Sequence, residues 1–163
     1  MEQEKEKNEE TFVKKVVQTA LGAERQIRRQ QVLHNTRMLM EEYIEMKRHI
    51  ESAVSEEEEL KEEQYDIFRG EGAHLGSVRR SKMKTAMMIA NIDRAMEELR
   101  AEYETKEMTY KYDAFKMHYI DGASYEEIAD IQNCGKNTPS RWSKELIRKM
   151  SVKLFGIDGV EKY

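Results

Sequence analysis

The sequence predicts an all-α fold, in which long N-terminal helices form a helical hairpin or coiled coil ahead of a C-terminal helix-turn-helix domain. The chain of 163 residues has a single proline and eight glycines, fewer turn-forming residues than a sheet protein needs. Charged residues make up 37% and apolar residues 39%, a balance that suits elongated helices with narrow apolar faces. Apolar residues also recur at helical spacing along most of the chain.

Residues 11–105 are predicted to form the helical scaffold. Residues 1–10 are rich in Glu and Lys and have almost nothing to bury, so we expect them to be disordered. The apolar face that opens the scaffold comprises Phe12, Val13, Val16, Val17, Ala20 and Leu21. A stripe near heptad spacing continues it through Leu33, Met40, Tyr43, Ile44, Ile50 and Val54.

A glycine-rich stretch divides the scaffold. Three glycines interrupt the periodicity and predict a loop near residues 70–77, with a new helix starting at Ser81 or Thr85. One apolar face before the loop and one after it predict an antiparallel hairpin or, equally, self-association of two chains through these helices. The second face consists of Met88, Ile89, Ile92, Met96, Leu99 and Tyr103.

Residues 108–156 form the last predicted unit, and residues 157–163 form a tail. An aromatic-rich helix is followed by the short helix YEEIADI, which Ser124 and Glu127 are spaced to start as a capping box. The turn NCGKN comes next. Its left-handed residue is either Asn133 or Gly135.

A longer basic helix follows this turn. Thr138 is expected to cap it, with Pro139 at its first position and Gly156 just after its end. Ala129 supplies the small residue needed where the two helices touch. The inward-facing apolar residues are expected to be Ile128, Cys134, Trp142 and Leu146, while Gln132 stands where an apolar residue would be expected.

Charge is distributed unevenly along this chain. The formal net charge is −4, yet Glu145 is the only acidic residue between Gln132 and Phe155. Helical spacing places the basic side chains on the outer face, where they could enter a DNA major groove or bind phosphate. The residues predicted to bind double-stranded DNA are Lys136, Asn137, Thr138, Ser140, Arg141, Lys144 and Arg148. A second basic cluster, whose contact with DNA or an acidic partner the pattern leaves open, comprises Arg79, Arg80, Lys82 and Lys84.

The segments YIDGASYEEIADI, TPSRW and LFG carry a family resemblance. With them, residues 108–156 resemble the region-4 DNA-binding module of sigma-70-type factors and, more closely, the ArpU and RinA families of phage transcriptional activators. Pro139 departs from the family pattern T-V-x-R-W, and Gln132 with Asn133 departs from a Leu-Gly-like pair. The resemblance implies a phage or prophage late-gene activator whose N-terminal helices dimerise or contact RNA polymerase. Nothing resembles the promoter-melting region 2 of a complete sigma factor.

Two other functions fit the same pattern. One is a phage small-terminase-like subunit that forms a ring and packages DNA, and the other is a coiled-coil adaptor without a DNA function. We predict no enzymatic activity and no cofactor, because the sequence has no phosphate loop, nucleophile–base pair or carboxylate pair. The four histidines are scattered and Cys134 is alone, so we predict no metal site and a reducing cytoplasmic location. The polar N-terminus and the lack of a long apolar run predict neither a signal peptide nor membrane binding.

Overall fold

The computed structural model describes residues 2–52 and 72–156, with side chains from 11 to 52 and from 80 to 156. Every regular element in these ranges is a helix, which confirms the predicted all-α class. The helices are α1 (Glu2–Glu41), α2 (helical over residues 43–52), α3 (Gly72–Thr105), α4 (Thr109–Tyr119), α5 (Tyr125–Ile131) and α6 (Thr138–Phe155). No helix within the described ranges has the length and apolar character that crossing a bilayer requires.

Two helices begin earlier than the sequence pattern predicts. Residues 2–10 belong to α1 and are not disordered; Glu and Lys are good helix formers, and glutamates near a helix start interact favourably with its dipole. Helix α3 begins at Gly72, so residues 72–77 are helical, and neither Ser81 nor Thr85 starts the helix. A glycine in a helix interior costs only about 1 kcal/mol, which a 34-residue helix can absorb. The first part of the predicted loop, residues 70 and 71, lies outside the described residues.

One hydrophobic core joins the N-terminal and C-terminal parts of the chain. Helix α6 lies at its centre, because α1, α3, α4 and α5 all pack against it. The predicted domain boundary coincides with a turn, in which Glu107 has a positive φ of 56°, but the core is continuous across that turn. Its fully buried members from both sides include Met40, Ile92, Leu99, Phe115, Leu146 and Met150.

Helices α3 and α6 run antiparallel, and cross-links between their side chains fix this direction. Glu98 accepts a hydrogen bond from Lys153 at 3.0 Å, and Glu102, one turn later, pairs with Lys149. The Tyr103 hydroxyl then donates to Glu145 Oε1 at 2.7 Å. Residue numbers in these pairs therefore rise along α3 while they fall along α6.

Glu145 is held at this interface by two donors, the Tyr103 hydroxyl and the Lys111 ammonium, which is 2.8 Å from Glu145 Oε2. Burial by itself would raise the pKa of Glu145, but the hydrogen bonds from Lys111 and Tyr103 outweigh it and lower the pKa. Burial and the hydrogen bond to the Glu145 carboxylate raise the pKa of Tyr103. Tyr103 therefore remains a neutral donor, and Glu145 remains an ionised acceptor.

The lowered pKa of Glu145 predicts how the free energy of unfolding changes at acid pH. A group whose folded pKa is depressed stabilises the fold above its unfolded pKa, about 4.3 for Glu, and that contribution is lost as the pH falls through the folded pKa. We expect Glu145→Gln to lower the free energy of unfolding at pH 7 by about 1 kcal/mol, since the side chain is 41% exposed and its ion pair is partly screened. Urea unfolding between pH 7 and 3 should show a shallower acid loss in the variant. Glu97→Gln, which removes an exposed carboxylate on α3, is the control and should keep the wild-type profile.

Helix α1 is packed over only part of its length. Val32, Thr36 and Met40, spaced one turn apart, are buried, and the Thr36 hydroxyl donates to the Val32 carbonyl at 2.8 Å. From residue 11 to residue 28 every side chain is exposed. After α1, the Tyr43 hydroxyl donates to Asp93 and so ties the start of α2 to α3. Helix α1 therefore has one half seated on the core and one half that extends from it.

Candidate nucleic-acid interface

The start of α5 is fixed by a reciprocal capping box, as the sequence predicts. Ser124 Oγ accepts a hydrogen bond from the Glu127 backbone N–H at 3.2 Å, and Glu127 Oε2 accepts from the Ser124 backbone N–H at 2.7 Å. These bonds satisfy two backbone donors that the first turn of a helix leaves open. The hydrogen bonds from Ser124, led by the backbone one, lower the pKa of Glu127.

The turn between α5 and α6 depends on Asn133. Its φ is 49°, so Asn133 provides the left-handed residue, and Gly135 keeps an ordinary negative φ. The Cys134 N–H donates to the Ala129 carbonyl at 2.9 Å, and the Thr138 N–H donates to the Gly135 carbonyl at 2.8 Å. The expectation that Thr138 caps α6 is wrong, because Thr138 is the first helical residue and Asn137 occupies the cap position without a side-chain hydrogen bond.

The inward faces of α5 and α6 hold the unit on the core. Ile128, Ala129 and Leu146 are buried, while Trp142 is half-buried and packs edge-on against Tyr110, with ring centroids 5.1 Å apart. The contact between Trp142 and Tyr110 fixes α6 against α4.

Gln132, which departs from the apolar pattern, has a structural role. Its side-chain Nε2 donates to the Tyr110 carbonyl at 3.0 Å, and this bond ties the turn to α4. The same Tyr110 carries the ring that packs against Trp142, so the two contacts anchor the turn and α6 to one residue of α4.

All seven predicted DNA-binding residues lie at the surface of the turn and α6. Thr138 and Ser140 are half-buried, and the remaining five are exposed. Lys136 pairs with Glu126 of α5 at 2.8 Å, with both side chains at least 70% exposed. Such an exposed pair contributes little stability, so a phosphate could replace the carboxylate at small cost. We name the exposed cations Lys136, Arg141, Lys144 and Arg148 the basic face.

The charged side chains of α6 differ in whether they have partners on other helices. Glu145, Lys149 and Lys153 are engaged with partners on α3 and α4. Arg141 and Lys144 form no ion pair with any residue that the structure describes, although Glu145 follows Arg141 by one helical turn. The only acid of this segment is paired with Lys111 of α4, which offsets its negative charge beside the basic face.

The last turn of α1 lies beside the basic face, which the sequence pattern did not indicate. Arg37 and Glu41 share an open cleft of about 270 Å³ with Ser140 and Lys144, floored by Ile147. Arg37 and Lys144 are both exposed. No local signal could have identified Arg37, since more than 100 residues separate it from Lys144 and only the packing of α1 on α6 brings them together.

The second basic cluster lies far from the basic face. Arg80 and Lys84 are exposed and Lys82 is half-buried at the start of α3; the side chain of Arg79 is outside the description. Because α3 runs antiparallel to α6, Lys84 lies about 20 Å beyond the Glu98–Lys153 pair, past the C-terminal end of α6. The second basic cluster is therefore separate from the basic face and lies beyond the other end of α6.

Comparison with protein-family models, with curated proteins and with solved structures finds no match for this chain. Among the described residues, no three His, Cys, Asp or Glu side chains are grouped so that they could hold a metal ion. The candidate site thus rests on the geometry and charge of the α5–turn–α6 unit.

Proposed function

We propose that this protein is a sequence-specific regulator that binds double-stranded DNA through α6. The observation that carries the proposal is the pairing of charge on this helix, in which Arg141 and Lys144 are left without carboxylate partners while Glu145 is paired with Lys111 of α4. Because the ammonium of Lys111 offsets the one carboxylate beside these cations, their positive charge remains available to a polyphosphate ligand.

The geometry of the unit supports a defined orientation on DNA. A capped α5, an Asn133 turn and the anchoring of Gln132 and Trp142 to Tyr110 hold α6 firmly on the core. In this proposal α6 enters the major groove, where Arg141 can bond guanine and Ser140 can bond base edges or phosphate. At the start of α6 the Thr138 N–H is already bonded to the Gly135 carbonyl and Pro139 has no N–H, so the Ser140 N–H is the backbone donor left to attract a phosphate of the flanking strand.

Salt dependence tests this proposal most directly. Fluorescence anisotropy should give a binding constant for DNA fragments selected from a random pool that falls as salt rises. Four phosphate contacts, one per cation of the basic face, predict a slope of about −3.6 in a plot of log K against log salt. The wild-type protein should also discriminate its selected sequence from shuffled DNA of the same composition. Binding that is absent at low salt would contradict DNA binding, and equal binding to shuffled DNA would contradict sequence specificity.

We further propose that the regulator acts as a homo-oligomer, because the exposed half of α1 carries large apolar side chains. A contact with RNA polymerase, as the family resemblance implies, and a role in late phage genes belong to the same proposal. A ring of many subunits, measured by native mass spectrometry, would instead favour the packaging function. A protein that binds no DNA but captures a helical partner would favour the adaptor.

A further inference from the structure

The exposed half of α1 carries an apolar stripe that nothing in the described structure covers. Its most exposed large members are Phe12, Val13, Val16 and Ile27, with exposed fractions of 68%, 56%, 50% and 65%. Between them lie the exposed alanines Ala20 and Ala23. Five residues of the stripe are spaced alternately three and four positions apart, which is the spacing of a and d positions in a coiled coil. They are Val13, Val16, Ala20, Ala23 and Ile27.

The stripe faces away from the core. In a helix of 3.6 residues per turn, Val32, Thr36 and Met40, which pack on the core, point about 170° away from the stripe. The core that receives the second half of α1 therefore lies on the wrong side of the helix to cover the first half. The stripe needs a partner that approaches from the opposite side.

We infer that the partner is a second copy of this chain, paired with α1 in antiparallel orientation about a two-fold axis near residue 18. In that register Val13 faces Ala23 of the partner subunit, and Val16 faces Ala20 of the partner subunit. The axis repeats both pairs, so each of four layers combines one large and one small side chain. A parallel pair in register would stack valine on valine and alanine on alanine, which leaves crowded and empty layers in turn.

Charge favours the same direction. Residues 2–10 carry five glutamates and two lysines, a net charge of −3, whereas residues 24–31 carry three arginines and one glutamate, a net charge of +2. Antiparallel pairing brings the acidic start of each helix against the basic stretch of the other. Parallel pairing would bring like charges together at both ends, which opposes association.

Sedimentation equilibrium of the full chain tests the pairing. The wild type should have twice its chain mass of 19.3 kDa. Val16→Glu would bury two carboxylates against Ala20 of the opposite copy, so we expect its dissociation constant to rise on the order of a hundredfold or more. Gln18→Glu adds the same charge on the other side of α1 and should remain dimeric. A monomeric wild type, or a Val16→Glu protein that dimerises normally, would overturn the inference.

Disulfide trapping tests the direction, in a full chain in which Cys134 is replaced by Ser. The double variant Val13→Cys and Ala23→Cys should form a covalent dimer under mild oxidation, because facing α-carbons within about 7 Å can be bridged. Val13→Cys alone should not, since its two copies would lie about 15 Å apart along the axis. Efficient trapping of that single variant would replace the antiparallel pair with a parallel one. The pairing rests on the homo-oligomer proposed above, but it does not depend on DNA binding, so neither result bears on the proposed binding of DNA by α6.

Discussion

Replacing Arg141 or Lys144 by alanine is expected to weaken binding to selected DNA about tenfold each, and replacing both roughly a hundredfold. The reason is that these two cations of the basic face have no carboxylate partner in the described structure and are directed away from the core. Their removal should leave the fold intact, because both side chains are exposed. Anisotropy titrations at low salt, with thermal melting followed by circular dichroism, measure the two quantities together.

Lys149→Ala provides the matched control for Lys144→Ala. It removes the same charge from the same helix, but its ammonium is bound to Glu102 on α3 and does not face outward. We expect nearly unchanged DNA affinity and a small loss of thermal stability in this variant. Equal losses of affinity in the two lysine variants would show that net charge alone governs binding, and the assigned face would be wrong.

The largest effect on stability is expected from Leu146→Ala. Leu146 is fully buried in α6, where the core residues of the N-terminal and C-terminal parts meet, and truncation of a buried leucine costs about 2–5 kcal/mol. Because the core is continuous, the loss should appear across the molecule. Hydrogen exchange in the variant should accelerate together in α3, α4 and α6.

Val152→Ala on the same helix is the control for this experiment. Val152 is 38% exposed, so its truncation should change the free energy of unfolding by less than about 1 kcal/mol. If Leu146→Ala accelerated exchange only in α4–α6 and left α3 protected, two independent folding units would replace the single core described above.

The sequence predicted the features that depend on neighbouring residues. These are the capping box of Ser124 and Glu127, the left-handed residue of the turn, which was predicted as either Asn133 or Gly135 and is Asn133, and Gly156 with its φ of 61° after α6. The basic face was predictable for the same reason, since helical spacing places its residues on one side. A feature formed by residues that are close in the chain can be predicted from the sequence of that segment alone.

The long-range packing could not be predicted in the same way. Thr36 is polar yet fully buried, because its hydroxyl bonds to its own helix, so the apolar pattern of α1 did not include it. The extension of α3 back to Gly72 likewise opposes the local preference of glycine, which a long helix can override. The position of Arg37 beside Lys144 depends on a contact between segments that no periodicity relates.

The unbroken course of α1 has a consequence for the architecture of an operator. One rigid rod carries the inferred two-fold axis near residue 18 and the seat on α6 near Thr36, an arm of about 27 Å. Two arms end to end hold the two α6 seats about 54 Å apart, more than the roughly 34 Å of one turn of DNA. The length of α1 would then set the spacing of the two half-sites at more than one turn of DNA. It would also determine which faces of the duplex the two α6 helices approach.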